Sequence, residues 1–145
     1  MIAAPISIVL PATRQQLRVL ACRARFVTVF ASRRFGKTAL GLLTLLALVK
    51  SVDSFGLAWW VAPTYRQARK PWRMLTSALA GSGLLVHTSK SELTATFATG
   101  WRVEFRSAEI PDNLRGDGVK KLFVDEAAMV RDETWTDCLR PTLAD

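Results

Sequence analysis

The feature that leaves this chain fewest ways to fold is a junction. The apolar run FVTVFA (26–31) passes through the loop ASRRFGKT (31–38) into a leucine-rich stretch that continues to Lys50. β-Branched and aromatic residues favour a buried strand in the first segment, and a run broken only by Gly41 favours a helix in the last. Strand, tight loop and helix in that order make a cradle for phosphate, because loop N–H groups turn inward and the helix N-terminus faces the anion. In such a cradle Gly36 lets the backbone approach a phosphate, Lys37 reaches the β and γ phosphates, and the Thr38 hydroxyl holds Mg2+. The fit to GxxxxGK[ST] is incomplete, since Ala31 stands at the first glycine position and Arg33 and Arg34 stand where small residues are usual. The plain alternative is a turn at Gly36 beside a surface lysine, and the placement between strand and helix argues against it.

Further along, the apolar run GLAWWVAP (56–63) reads as a second buried strand stopped by Pro63. Thr64 can cap a helix through YRQARKPWRMLTSAL (65–79), with a kink or restart expected at Pro71. A third strand is expected at 84–89, and ELTATFATGWRVEFRS (92–107) alternates about a turn at Thr99 and Gly100, the pattern of a β-hairpin. The last apolar run ends in two acids and defines an acidic strand over 121–126. Alternating strands and helices predict an α/β fold with a mainly parallel sheet flanked by helices, the hairpin being an insertion on that plan.

The acidic strand is the second feature with chemical content. Asp125 and Glu126 fall at the C-terminal end of a buried strand, where open α/β sheets bind ligands. There Asp125 would complete a Mg2+ shell with Thr38, and Glu126 would act as general base on the attacking water. Solvated acids at a strand end are the plain alternative for this pair alone, but a loop with Lys and Thr needs a carboxylate for its metal. An Asp-Glu pair favours hydrolysis of ATP coupled to mechanical work.

Charge points the same way. The net charge is +8, and residues 1–73 hold 12 Lys/Arg against Asp53 alone, whereas residues 74–145 hold 8 against 11 acids. A basic half suits a polyanionic partner, although a solvated basic face would look the same. Tyr65, Arg66 and Arg69, at a basic helix start, are candidate contacts to DNA phosphates. Cys22 and Cys138 stand in no ligand-like spacing, and with His87 the only histidine a His/Cys zinc cluster is not expected. The longest apolar run, ALGLLTLLALV (39–49), is well short of the about 20 residues that cross a bilayer.

Four segments taken together carry a resemblance: FVTVFASRRFGKT, the upstream RQQLRVL, WWVAPTYRQAR, and SAEIPDNLRGDGVKKLFVDEAA. They resemble the N-terminal ATPase domain of the large terminase subunit of tailed bacteriophages, a family of viral DNA-packaging motors, from about Gln15 to the end of the chain. The resemblance implies a P-loop NTPase fold that uses ATP and Mg2+, with Ser32, Arg33, Arg34, Phe35, Gly36, Lys37 and Thr38 on the nucleotide. It implies that Arg33 touches the γ phosphate or senses its loss, and that Arg115 reaches into a neighbouring subunit's site as a finger. It further implies that Gln16 reads the adenine, with Gln15 the alternative. Double-stranded DNA, a small terminase subunit, a portal and a homo-oligomeric ring are the implied partners, in the cytoplasm of a bacterial host and without a membrane.

Members of that family continue into a coupling strand and a nuclease domain, whereas this sequence ends at Asp145. The resemblance therefore implies a partial ATPase domain over 1–145, with an N-terminal extension over about 1–14, weak activity alone and no nuclease domain. Two other readings stand beside the packaging ATPase: a helicase-like DNA-dependent ATPase, which shares the loop and the Asp-Glu pair, and a non-catalytic prophage remnant.

Overall fold

The computed structural model describes residues 12–50, 55–116 and 118–143. The N-terminal extension expected over 1–14 lies almost wholly outside them, as does Asp117. The chain divides into two compact units, Met1–Leu48 and Val49–Asp145.

Among the described residues the first unit begins with helix α1 (Arg14–Leu20), started by a reciprocal cap: the Thr13 hydroxyl accepts the Gln16 N–H, and Gln16 Oε1 accepts the Thr13 N–H at 2.9 Å. This satisfies two of the donors that every helix start leaves open. Helix α2 (Lys37–Val49) follows the loop, with Leu40, Leu42 and Leu45 buried. The strand expected at 26–31 does not form. Residues 27–31 belong to no strand among the described residues, and Phe26, Val27 and Phe30 are 55%, 47% and 94% exposed. β-Propensity expresses a fit to a pleated, half-buried surface, and without a neighbouring strand the apolar run has no ladder to join.

The second unit holds a five-stranded sheet in the order β2-β3-β4-β1-β5. Its strands are β1 (Leu57–Ala62), β2 (Leu85–Ser89), β3 (Thr94–Phe97), β4 (Arg102–Ser107) and β5 (Lys121–Val124). β1 runs parallel to both β4 and β5, while β2, β3 and β4 are joined antiparallel, so the sheet is mixed. The hairpin is present, turned by Gly100 at φ 92° where a Cβ would stand 3.2 Å from Phe55. Its second arm, β4, is also the neighbour of β1, so the hairpin is built into the sheet rather than added to it.

Helix α3 (Tyr65–Ala78) crosses between β1 and β2 and runs through a buried Pro71 as one helix, without the expected restart. Its first turn is held from two sides: Thr64 accepts the Gln67 N–H, and Glu109 accepts the Tyr65 N–H at 2.9 Å. That backbone donor, with the Ser107 hydroxyl, holds the Glu109 pKa below its ordinary value. The contact is thus present at neutral pH and weakens as pH falls through the carboxylate range. On one face of the sheet Trp59 and Val61 pack with Leu114, Val119, Cys138 and Leu139. Trp60 stacks on Phe105 and Phe123, at centroid distances of 6.0 and 5.6 Å.

A buried carboxylate ties this unit together. Glu104 is 8% exposed and accepts from Trp59 Nε1 at 3.1 Å, Arg102 Nε at 2.8 Å and Arg106 Nη2 at 2.6 Å. The Arg106 guanidinium lies 4.1 Å over the Trp59 ring and donates to the Asn113 carbonyl, fastening β4 to the turn Pro111–Leu114. Removing the carboxylate takes the shared acceptor from three residues at once, whereas Arg102 is half exposed and contributes little. Glu104→Ala is expected to cost roughly 2–3 kcal/mol and Arg102→Ala under about 1 kcal/mol, measured by urea unfolding.

Candidate nucleotide site

The phosphate-loop residues lie in the first unit. After the extended Ser32, Arg33–Phe35 form a single 3-10 turn in which the Phe35 N–H donates to the Ser32 carbonyl at 3.2 Å. Gly36 then takes the left-handed conformation (φ 78°, ψ 39°), which reverses the chain into α2 with Lys37 as its first residue. Only glycine adopts that conformation without a steric cost, so Gly36 is the local reason that a loop and a helix meet here. Ala31 sits at the mouth of the loop, where its carbonyl accepts from Lys37 Nζ at 2.9 Å; the Ser32 carbonyl accepts the same group at 3.3 Å. A methyl at position 31 does not impede this closure, and the first glycine of the pattern is not needed for it.

Electrostatics single the loop out. Lys37, Arg33 and Arg34 gather at the N-terminus of α2, where the helix dipole is already positive and cations are disfavoured. The first turn carries no acidic residue. Both arginines are exposed, and neither makes an ion pair or hydrogen bond with another described residue. Such concentrated positive charge is the electrostatic arrangement that an anion relieves. Thr38, on the first helical turn, is half-buried.

Gln16 and Gln15 part company. Gln16 is 6% exposed, with Nε2 donating to the Phe35 carbonyl at 2.9 Å and Oε1 committed to Thr13. Gln15 faces outward and lines a shallow cleft of about 380 Å3 with Arg18, Val19, Val27, Phe30 and Phe35.

The acidic residues and Arg115 lie in the second unit. The register Ala62 against Ser107 and Val61 against Val124 brings the C-terminal ends of β1, β4 and β5 level. Asp125 follows β5, its N–H donating to the Val61 carbonyl at 2.9 Å. Glu126 is exposed and left-handed (φ 49°, ψ 46°), with its N–H on Asp125 Oδ1 at 3.0 Å. A non-glycine residue held there costs of order 1 kcal/mol, and such strain gathers at functional sites. Arg115 Nε donates to Asp112 Oδ1 at 3.2 Å in an exposed pair, which leaves the guanidinium accessible at little cost. Sequence reasoning missed Glu109 as the cap of α3, because its partner Tyr65 lies 44 residues away. The Thr13 cap was in reach, since T-x-x-Q before an apolar run is a helix-start signature.

A family model described as the N-terminal part of the large terminase subunit, T4likevirus-type, matches residues 29–145. The chain belongs to this family. A comparison with curated proteins finds no match. Among solved structures, the ATPase domain of the large terminase of Thermus phage P74-26 superposes with a TM-score of 0.76 at 22% identity, covering 91% of this chain. An arginine-to-alanine variant of that domain superposes at 0.78 with 20% identity. At such identity the likeness shows the fold, and the chain spans 60% of the length of either solved terminase domain. The expected α/β class is thereby confirmed as a terminase-type domain fold.

Two substitutions separate the local demands of this terminase domain. Gly36→Ala is expected to destabilise the first unit by about 1 kcal/mol or more, since its Cβ would stand 3.1 Å from Gln16 Nε2 and φ is positive. Glu126→Gly should instead stabilise the second unit by roughly 0.5–1 kcal/mol, by relieving the left-handed strain. Thermal unfolding of both variants, expected to shift in opposite directions, checks the pair.

Proposed function

We propose that this chain supplies the ATP-binding and hydrolysing part of a viral DNA-packaging motor. The observation that carries the reading is the cluster of Arg33, Arg34 and Lys37 at the N-terminus of α2, with no acid in an ion pair to it among the described residues, in a loop turned by a left-handed glycine. That arrangement fits the phosphates of ATP. The backbone from Ser32 through Gly36 would wrap the β phosphate, and the Phe35 side chain would close one wall. Lys37 would exchange the Ala31 and Ser32 carbonyls for phosphate oxygens, and Arg33 would bear on the γ phosphate with Arg34 beside it.

On this reading Thr38 and Asp125 would hold Mg2+, an ion that takes hard oxygen ligands such as a hydroxyl and a carboxylate together with water and phosphate. When bound, Mg2+ neutralises charge on the β and γ phosphates. Glu126 would take the proton of the attacking water as its oxygen bonds to the γ phosphorus. The bond from that phosphorus to the bridging oxygen then breaks, giving ADP and phosphate. Arg115, exposed and in a surface pair with Asp112, would stabilise the charge spread over the transferred group in a neighbouring subunit of a homo-oligomeric ring.

Double-stranded DNA fits the remaining charge. Arg66, Arg69, Lys70 and Arg73 are all exposed on α3, a helix whose sequence contains no acid, with Tyr65 at its start. Phosphate contact through such a face positions a duplex without reading its sequence. The small terminase subunit and portal would be the protein partners in the cytoplasm of the bacterial host, and no described helix is long and apolar enough to cross a membrane.

The experiment is nucleotide titration and turnover on the wild type and two variants. Lys37→Ala should weaken Mg-ATP binding by at least tenfold, on the order of a charge-assisted hydrogen bond. Glu126→Gln should retain binding and lose turnover by about 10²- to 10³-fold, the range of a lost general base. Equal ATP affinity in the wild type and Lys37→Ala would sink the assignment.

A further inference from the structure

We infer that Arg106 is a positioning residue: through the Asn113 carbonyl it fixes the turn from which Arg115 projects, and so sets the direction in which that guanidinium is offered. The inference rests on the reading that Arg115 acts on the nucleotide of a neighbouring subunit. All the residues concerned belong to the second unit. Each of the three guanidinium nitrogens of Arg106 has a partner. Nε at 2.8 Å and Nη2 at 2.6 Å both donate to Glu104 Oε2, and Nη1 donates to the Asn113 carbonyl at 2.6 Å. The same group lies 4.1 Å over the Trp59 ring. Glu104 is itself fixed in the sheet, because Trp59 stands opposite it in the register of β1 with β4 and donates to the same oxygen. A guanidinium is planar, so two bonds to a buried carboxylate and a ring beneath it leave the third nitrogen one direction to point.

Balancing the Glu104 charge does not require that third bond. Arg102 Nε already donates to Glu104 Oε1 at 2.8 Å, and Arg106 supplies two donors more. The bond to Asn113 reaches instead to the turn Pro111–Leu114, two residues before Arg115. Leu114, between them, is fully buried with Trp59, Val61 and Val119. Leu114 holds the turn at one point, and the bond to Asn113 adds a second and so fixes its rotation. After Arg115 come Gly116, at φ 98°, and Gly118, and a Cβ on either would meet nothing within 4 Å. Glycines restrict the chain least, so the placement of Arg115 is set from its N-terminal side. Placement is what an arginine acting across an interface depends on, since a displacement of about 1 Å costs on the order of 10²-fold in rate.

The test divides the reaction between two chains supplied with Mg-ATP. An acceptor carries Arg115→Ala and keeps its own nucleotide site; a donor carries Lys37→Ala and keeps Arg115. Turnover by the mixture above that of either chain alone measures the donor's Arg115 acting on the acceptor's nucleotide. Arg106→Lys is then added to one chain at a time. Lysine keeps a cation beside Glu104 and cannot span the carboxylate and the Asn113 carbonyl together. In the donor it is expected to lower kcat of the mixture by about 10- to 100-fold with KM for ATP unchanged, because the arginine bears on charge formed in the transition state. In the acceptor, whose Arg115 is already gone, the same substitution is expected to leave turnover within about twofold. An equal loss in both chains means that Arg106 acts on stability alone, and an unchanged rate with the altered donor means that it places nothing; either result overturns the inference while the reading of Arg115 stands. A mixture no faster than its separate chains removes that reading, and the inference falls with it.

Should Arg106→Lys not fold, the wild type still decides. In the 15N-labelled chain the Arg106 Nη1 protons are expected to exchange with water at least about tenfold more slowly than the guanidinium protons of the exposed Arg115, as for a group held by hydrogen bonds. Exchange at the Arg115 rate overturns the proposal.

Discussion

The second unit depends on the hydrogen-bonding demand of β1. Ala58 through Ala62 are buried, so every backbone polar group there must be satisfied by a neighbouring strand, and water cannot substitute. Parallel neighbours on both sides meet that demand, and parallel pairing forces the chain to cross back before each strand. The crossover through α3 and the hairpin is one consequence. Another is that β1, β4 and β5 end level, which brings the turn into α3, the Ser107–Glu109 turn and the Asp125-Glu126 pair to one edge of the sheet. The Glu109 contact to the start of α3 is formed across that edge.

Both chemically suggestive places in the molecule are locally unfavourable. Three cations at a helix N-terminus oppose the helix dipole, and a glutamate in the left-handed region opposes its own Cβ. Neither arrangement contributes to folding. Each is made tolerable by firm surroundings: the loop by the Gln16 and Lys37 bonds, and Glu126 by the bond its N–H makes to Asp125. A packaging ATPase would recover the first cost when triphosphate binds and would use the second to aim a carboxylate.

Much of this was legible before any coordinates. The strands at 57–62 and 121–124, the hairpin, α2, α3 and the Gly36 turn all follow from periodicity and turn chemistry, because they rest on local preference. The failures share one cause. FVTVFA has the composition of a buried strand, yet a strand exists only with a partner, and composition names no partner. Pro71 sits inside one helix because its buried ring packs at a position where the rest of α3 is amphipathic, an outcome that helix propensity alone opposes. The second arm of the hairpin became a central strand because β1 needed a parallel neighbour.

For the candidate site, the residue types were set by the sequence by itself: Gly36 for the left-handed turn, Lys37 and Thr38 after it, and acids behind an apolar strand. Those assignments follow from chemistry confined to neighbouring residues. Which glutamine faces the loop, which carboxylate caps α3, and which acid takes the strained conformation were decided by tertiary structure alone. Those outcomes turn on contacts between residues 19 and 44 positions apart and on backbone angles imposed from outside the segment. A linear pattern carries no record of either.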